Sequence, residues 1–255
     1  MWFDEGVVES VTGSLPVWMA ILLLLISYLG SVYLIAPAAV VAYLRGSDWR
    51  TATWPGIIVG AYALFVALKP ITDITRPSER GVDSPLADET MPAGIDLLHQ
   101  YAVEFDTASF PSGHAIAATV FAALLVVDLD VGTFRQRLAA GSVYVGAVSV
   151  SRVGLGVHYV GDMVGGILIA LVFLAVVFSL RQRLNARPWR TIDAPQGVMM
   201  LAMVPAAGAI VIGRPFDGTV LLVAAAGAIC GHRVLQRDEI AAFNRRLRFN
   251  DSSRP

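Results

Sequence analysis

Three short stretches of this chain carry side chains that can hold an anion and move a proton. His158 and Asp162 stand four residues apart where an apolar run begins, so on a helix they share one face. A carboxylate beside an imidazole fixes its tautomer and stabilises its charged form, the logic that orients a catalytic histidine. His158 held in this way can attack phosphorus, while His114 can protonate the leaving oxygen and then activate water against the phosphohistidine. Ser112 and Gly113 fit a helix start. The serine serves as N-cap, and the glycine lets the backbone approach an anion at the positive end of the helix dipole. Lys69, Arg76 and Arg152 supply cations, two of them planar forks and one a compact point charge. Together these groups describe an oxyanion site, most naturally for phosphate, stabilising charge on the equatorial oxygens of a phosphoryl transition state.

Other uses of the same residues carry less weight. Zinc is the competing use of His114, His158 and Asp162. No third histidine at ligand spacing accompanies them, and the flanking cations oppose a metal ion. Lys69 or Arg76 alone would read as interfacial snorkelling. His99 and His232 read as satisfied polar residues.

The elements that position these groups must be membrane helices. Of 255 residues, 56% are hydrophobic and 15% charged, against about 25% charged in soluble domains, which argues against a soluble globule. The formal net charge of −1 provides no basic field for nucleic acid. The single Cys230 cannot form an internal disulfide. Seven apolar stretches predict spanning segments: 16–44, 54–70, 113–129, 137–156, 160–180, 197–213 and 217–232. The first is one tilted helix or breaks near Gly30 or Pro37, and the last two are short, so the count is six or seven. Residues 1–15 carry Asp4, Glu5 and Glu9 in place of the basic start of a cleavable signal peptide. The acidic, proline-containing loop 71–110 predicts a short interfacial helix from Ala93 to Phe105. Gly161 and Gly165 have the spacing of close helix packing.

Basic residues in the loops predict orientation. With an outside N-terminus, seven alternating spans leave Lys69, Arg76, Arg80, Arg152 and Arg214 outside and the other fourteen of the nineteen basic residues inside. The C-terminal tail is then cytoplasmic, its basic residues retained by the positive-inside effect. Lys69 is the only lysine among these nineteen. It sits on the side where cations are scarce, and Lys69, Arg76, Ser112 to His114, Arg152, His158 and Asp162 all map to that same face.

Read as a pattern, Lys69-x6-Arg76-Pro77, then Pro111-Ser112-Gly113-His114, then Ser151-Arg152-x5-His158-x3-Asp162 resembles the tripartite signature of the type 2 phosphatidic acid phosphatase superfamily. That superfamily includes integral-membrane lipid phosphate phosphatases and, more remotely, soluble vanadium haloperoxidases, whose activity this apolar chain disfavours. Eleven identities fall in order at the right spacing. The resemblance implies an all-α membrane bundle with a vanadium-haloperoxidase-like core. It also implies phosphate binding by Lys69, Arg76, Ser112, Gly113 and Arg152, with His158 as nucleophile, Asp162 as its orienting partner and His114 as general acid. It implies hydrolysis without a metal or other cofactor. Pro77, Pro111 and Ser151 complete the motifs as structural positions.

The expected organisation is an N-terminal segment and first helix over 1–53, a catalytic core over 54–180, and C-terminal helices with a basic tail over 181–255. The expected substrate is a lipid phosphate or polyprenyl diphosphate met among membrane lipids, with no nucleic acid partner. Phosphotransfer to an acceptor hydroxyl and non-catalytic lipid-phosphate binding or transport are the alternatives. The C-terminal segments either pack on the core, form a homo-oligomer interface or merely place the basic tail.

Overall fold

The computed structural model describes residues 2–46, 48–87, 91–103, 108–186 and 192–235. The basic tail from Arg237 onward, Arg187 and Arg190, and Asp88, Glu89, Glu104 and Asp106 of the acidic loop lie outside the described residues. Among the described residues the secondary structure is helical apart from turns and one isolated bridge position. The helices are α1 (Glu5–Thr12), α2 (Val17–Leu29), α3 (Val32–Arg45), α4 (Trp49–Ala52), α5 (Trp54–Thr72), α6 (Ala93–Val103), α7 (Gly113–Asp128), α8 (Phe134–Gly154), α9 (Val160–Ala186), α10 (Ala194–Val211) and α11 (Pro215–Leu235).

Local sequence explains where these helices begin and end. The first apolar stretch breaks at Gly30, between α2 and α3, while Pro37 is carried inside α3. A side chain at position 30 would meet Val148 Cγ1 at 2.6 Å, so glycine lets this joint lie against α8. Helix α5 ends at Asp73, in the left-handed region at φ 46°. Ser112 caps α7 as its type predicts, accepting the Ala115 N–H at 3.4 Å. Helix α8 opens on a capping box formed by Thr133 and Gln136.

Among the described residues, five segments are long and apolar enough to cross a membrane: Val17–Arg45, Trp49–Thr72, Val160–Ala186, Ala194–Val211 and Pro215–Leu235. The two remaining predicted spans differ in kind. Helix α7 has only 16 residues, and ten of them are buried in the bundle. Helix α8 is the more polar, with Arg135, Gln136 and Arg137 in its first turn and Ser149, Ser151 and Arg152 in its last turns. The main core joins α3, α5, α7, α9 and α10 through Ile35, Trp54, Ile57, Ile116, Leu124, Leu174 and Val198. Outward faces of α9 and α11 expose Leu168, Leu171, Val172, Val220 and Val223, as expected where lipid replaces water.

Chain direction alternates, so α5 and α8 end, and α7 and α9 begin, at one end of the bundle. The other end is tied by a buried ion pair. Arg181 donates from two nitrogens to Asp128, at 2.6 and 2.7 Å, and Trp54 Nε1 donates to the same carboxylate at 2.9 Å. His232 and Asp193 pair at this end as well, and Tyr43 reaches the other ring nitrogen. His232 is thus the satisfied polar residue expected from the sequence, as is His99, which bonds the Ser84 hydroxyl.

Candidate active site

The end opposite the Arg181–Asp128 pair gathers the three motifs. His158 lies in the turn between α8 and α9, and Asp162 lies one helical turn on, in the first turn of α9. Their ring and carboxylate meet at 3.0 Å, Nδ1 to Oδ2. The same Oδ2 accepts the Tyr159 N–H at 2.8 Å and the Ser109 hydroxyl at 2.5 Å. On the far side of the ring Arg76 Nη1 lies 3.3 Å from His158 Nε2, and it also donates to the Val157 carbonyl at 3.0 Å. A guanidinium can only donate, so Nε2 is the accepting nitrogen and the ring proton sits on Nδ1, facing Asp162.

Burial and charge act on these groups in a consistent direction. His158 is 2% exposed. Burial first, then the charges of Arg76, Arg152 and Lys69 and the neighbouring His114, hold its proton affinity well below the usual 6.5, which keeps the imidazole neutral. Burial draws Arg76 down to about 10, with Asp162 and Glu79 working against the shift, so the guanidinium remains charged at neutral pH.

A cavity of about 510 Å³ opens in front of the ring. Lys69, Arg76, Gly113, His114 and His158 line it, as do Tyr28 and Tyr101. Of the residues singled out from sequence, five therefore face one space. Arg152 and Ser112, both 0% exposed, stand behind the wall. Arg152 donates to Ser27 Oγ on α2 at 2.6 Å, and its charge acts on His114 and His158. Lys69 Nζ donates to the Ala108 carbonyl at 2.6 Å, tying the end of α5 to the segment before α7. Pro111 and Ser151 hold backbone. Ser109 N–H bonds the Ile74 carbonyl and Ser112 N–H the Asp162 carbonyl, which fixes the segment around Pro111 between them, while Ser151 Oγ bonds back to Val148. Pro77 precedes a short 3₁₀ turn, Ser78–Arg80.

One contact was not assigned from sequence, and two sequence readings take a more definite form in the structure. Ser109 is the shortest contact to Asp162, yet it stands outside the motif as read, two residues before Pro111. Gly161 and Gly165 do not seat a second spanning helix. They seat the rings of Phe3 and Phe110, which a side chain at either position would meet at 2.7 and 2.1 Å. A helix forms where Ala93 to Phe105 was expected to be helical, as α6 (Ala93–Val103), and Tyr101 and Ala102 on it line the cavity. Among the described residues no group of three His, Cys, Asp or Glu side chains is arranged to hold a metal ion.

Residues 54–186, more than half of the chain, match the PAP2 superfamily, and the chain belongs to that family. The fold is that of a transmembrane PAP2 protein. The structure is similar to the crystal structure of a transmembrane PAP2-type phosphatidylglycerolphosphate phosphatase from Bacillus subtilis, with a TM-score of 0.54 and 22% identity, over 74% of this chain and 87% of that one. No match was found among curated proteins.

Proposed function

We propose that this protein is an integral-membrane phosphatase that hydrolyses a lipid phosphomonoester or lipid pyrophosphate through a phosphohistidine. The observation that carries this reading is the setting of His158. Its Nδ1 proton is engaged by Asp162, and its Nε2 lone pair is turned toward Arg76 and the cavity. A neutral imidazole held in that tautomer is a nucleophile, and the guanidinium beside Nε2 is where an equatorial phosphate oxygen would be received.

In the proposed cycle Lys69, Arg76 and the backbone at Gly113 hold the phosphoryl group, and Arg152 adds its charge from behind the wall. Nε2 attacks phosphorus as His114 gives a proton to the leaving oxygen. Asp162 balances the charge that appears on the His158 ring. His114 then takes a proton from water, which attacks the phosphohistidine and releases inorganic phosphate. The cations and the α7 N-terminus carry the electrostatic work that a metal would otherwise do, so activity is expected to survive chelation. The PAP2 fold and the apolar cavity walls support a lipid substrate, and residues 54–180 form the catalytic unit.

The distribution of charge supports an outward-facing site. All the basic residues described at the site end belong to the small set of Lys69, Arg76, Arg80, Arg152 and Arg214. Arg45, Arg50, Arg135, Arg137, Arg181, Arg183 and Arg233 lie toward the other end, which the positive-inside rule assigns to the cytoplasm. The test is phosphate release from lipid phosphates in chelator-treated detergent extract. His158→Ala is expected to abolish it, and activity retained by that variant would remove the nucleophile assignment.

A further inference from the structure

One wall of the cavity comes from a part of the chain that the family match does not reach. The match stops at residue 186, yet Arg214, Asp217, Val220, Leu221 and Ala224 line the same space as Lys69, Arg76, His114 and His158. Positions 217, 220, 221 and 224 recur at helical spacing and so form one face of α11. Helix α10 packs along α5 and returns the chain to the site end, where Gly213 turns it at φ 96°. Arg214 sits at that turn with its backbone held on both sides. Its N–H bonds the Ala209 carbonyl, and its carbonyl accepts the Gly218 N–H, both at 2.9 Å. A side chain at Gly218 would meet the Ala206 carbonyl at 2.7 Å, so this glycine keeps α11 close against α10.

Arg214 thus reaches the cavity from a fixed position. Its charge and that of Lys69 repel each other there, although the two come from elements far apart in sequence. The Asp217 carboxylate lies 3.9 Å from the guanidinium, at the outer limit of an ion pair. Lys69, Arg76 and Arg214 border one space, with Asp217 at its edge, and three cations around one cavity favour anionic groups within it. In the proposed cycle the transferred phosphate meets Nε2, Arg76 and Lys69, which leaves Arg214 for another group.

We propose that Arg214 is a second-anion subsite, binding a phosphate of the substrate other than the one transferred to His158. Resting on the phosphatase reading, it narrows the substrate class to lipids with two neighbouring phosphates, and the α11 face beside Arg214 takes the start of the lipid chain. Two chemistries meet this description: a diphosphate ester, and a phosphomonoester attached beyond a phosphodiester.

The experiment pairs each with its single-phosphate counterpart on the full-length protein in detergent: farnesyl diphosphate against farnesyl phosphate, and phosphatidylglycerol phosphate against phosphatidate. Arg214→Ala is expected to raise KM for a two-phosphate lipid about tenfold, the loss of one charge-assisted contact. KM for the single-phosphate lipids and kcat should stay within about twofold of wild type. The pair that responds identifies the source of the second phosphate, and Arg214→Lys should recover most of the loss. Equal effects on both members of each pair, or no effect on either, would overturn the subsite. Direct binding of farnesyl methylenediphosphonate and farnesyl phosphonate reads the same preference without turnover. A protein that releases no phosphate would therefore end the phosphatase reading, while the binding ratio would still decide for or against Arg214.

Discussion

Asp162→Asn separates the two things the carboxylate does for His158, which are to hold the ring and to balance its charge. Three donors converge on Oδ2: the Ser109 hydroxyl at 2.5 Å, the Tyr159 N–H at 2.8 Å and the His158 Nδ1–H at 3.0 Å. Asparagine keeps the shape of the side chain, and those donors select its oxygen for that position. Nδ1 then keeps its proton and Nε2 still faces the cavity. What disappears is the negative charge at the moment the ring takes up the phosphoryl group and becomes cationic. For the 3.0 Å contact, an effective dielectric of about 20 gives an interaction of roughly 5–6 kcal/mol. That corresponds to a loss of about 10⁴ in rate if all of it is felt in the transition state. Ser109→Ala removes one charge-assisted hydrogen bond of about 1.5–3 kcal/mol, a loss of roughly tenfold to a hundredfold. The expected order is therefore a large fall for Asp162→Asn and a modest one for Ser109→Ala, with KM little changed in both. Colorimetric phosphate release from phosphatidate in mixed micelles measures it. Asp162→Asn within tenfold of wild type, or Ser109→Ala falling as far as Asp162→Asn, would refute the charge-balancing argument.

The pH profile supplies a second check. In the proposed cycle His158 attacks as the neutral ring, and its proton affinity is depressed by burial and by Arg76, Arg152, Lys69 and His114. The neutral form thus persists to lower pH, and the acidic limb of kcat/KM attributable to His158 should fall below 6.5; a limb above that value would contradict the depressed affinity. At the other end of the bundle, Asp128→Ala leaves the buried Arg181 without its carboxylate, a loss of about 3–5 kcal/mol. The thermal midpoint in detergent should drop by roughly 10 °C, and the paired change Asp128→Leu with Arg181→Met should recover most of it. For orientation, Ala87 is exposed in the loop at the site end. Ala87→Cys in a Cys230→Ser background should react with an impermeant maleimide in intact cells, and reaction only after permeabilisation would reverse the topology.

The site was legible in the sequence to the extent that its chemistry depends on rare residue types at fixed spacing. A lone lysine, two histidines and arginines on the cation-poor side stand out from an apolar background. Ser109 did not stand out, because a neutral hydroxyl has no charge signature and its partner Asp162 lies 53 positions further on. Arg152 was named, but its position behind the wall was not, since spacing places a residue on a helix without saying what that helix faces. Arg214 was visible as a cation on the scarce side, and only the return of α10 along α5 brings it to Lys69. The glycines of α9 carried the right message, close approach, with the wrong partner, because Phe3 and Phe110 come from distant segments. Helix α8 passed as a span by length, but its first turn is polar and largely exposed, and among the described residues it is not one of the helices apolar enough to cross a membrane.

The shortness of α7 bears on the depth at which the proposed chemistry would run. Sixteen residues rise about 24 Å, while the hydrocarbon core of a bilayer is about 30 Å thick. With the Asp128 end of α7 level with one boundary of that core, the Gly113 end stops several ångströms short of the other. In that placement His114 and the ring of His158 would lie in a recess beneath the headgroup plane, in the cavity that α5, α6 and α11 line. A lipid need not be lifted to meet them. Its chain can stay among its neighbours while the headgroup dips, which avoids exposing methylene groups to water at about 0.8 kcal/mol each. The cations lining the recess then replace the water that the phosphate leaves behind.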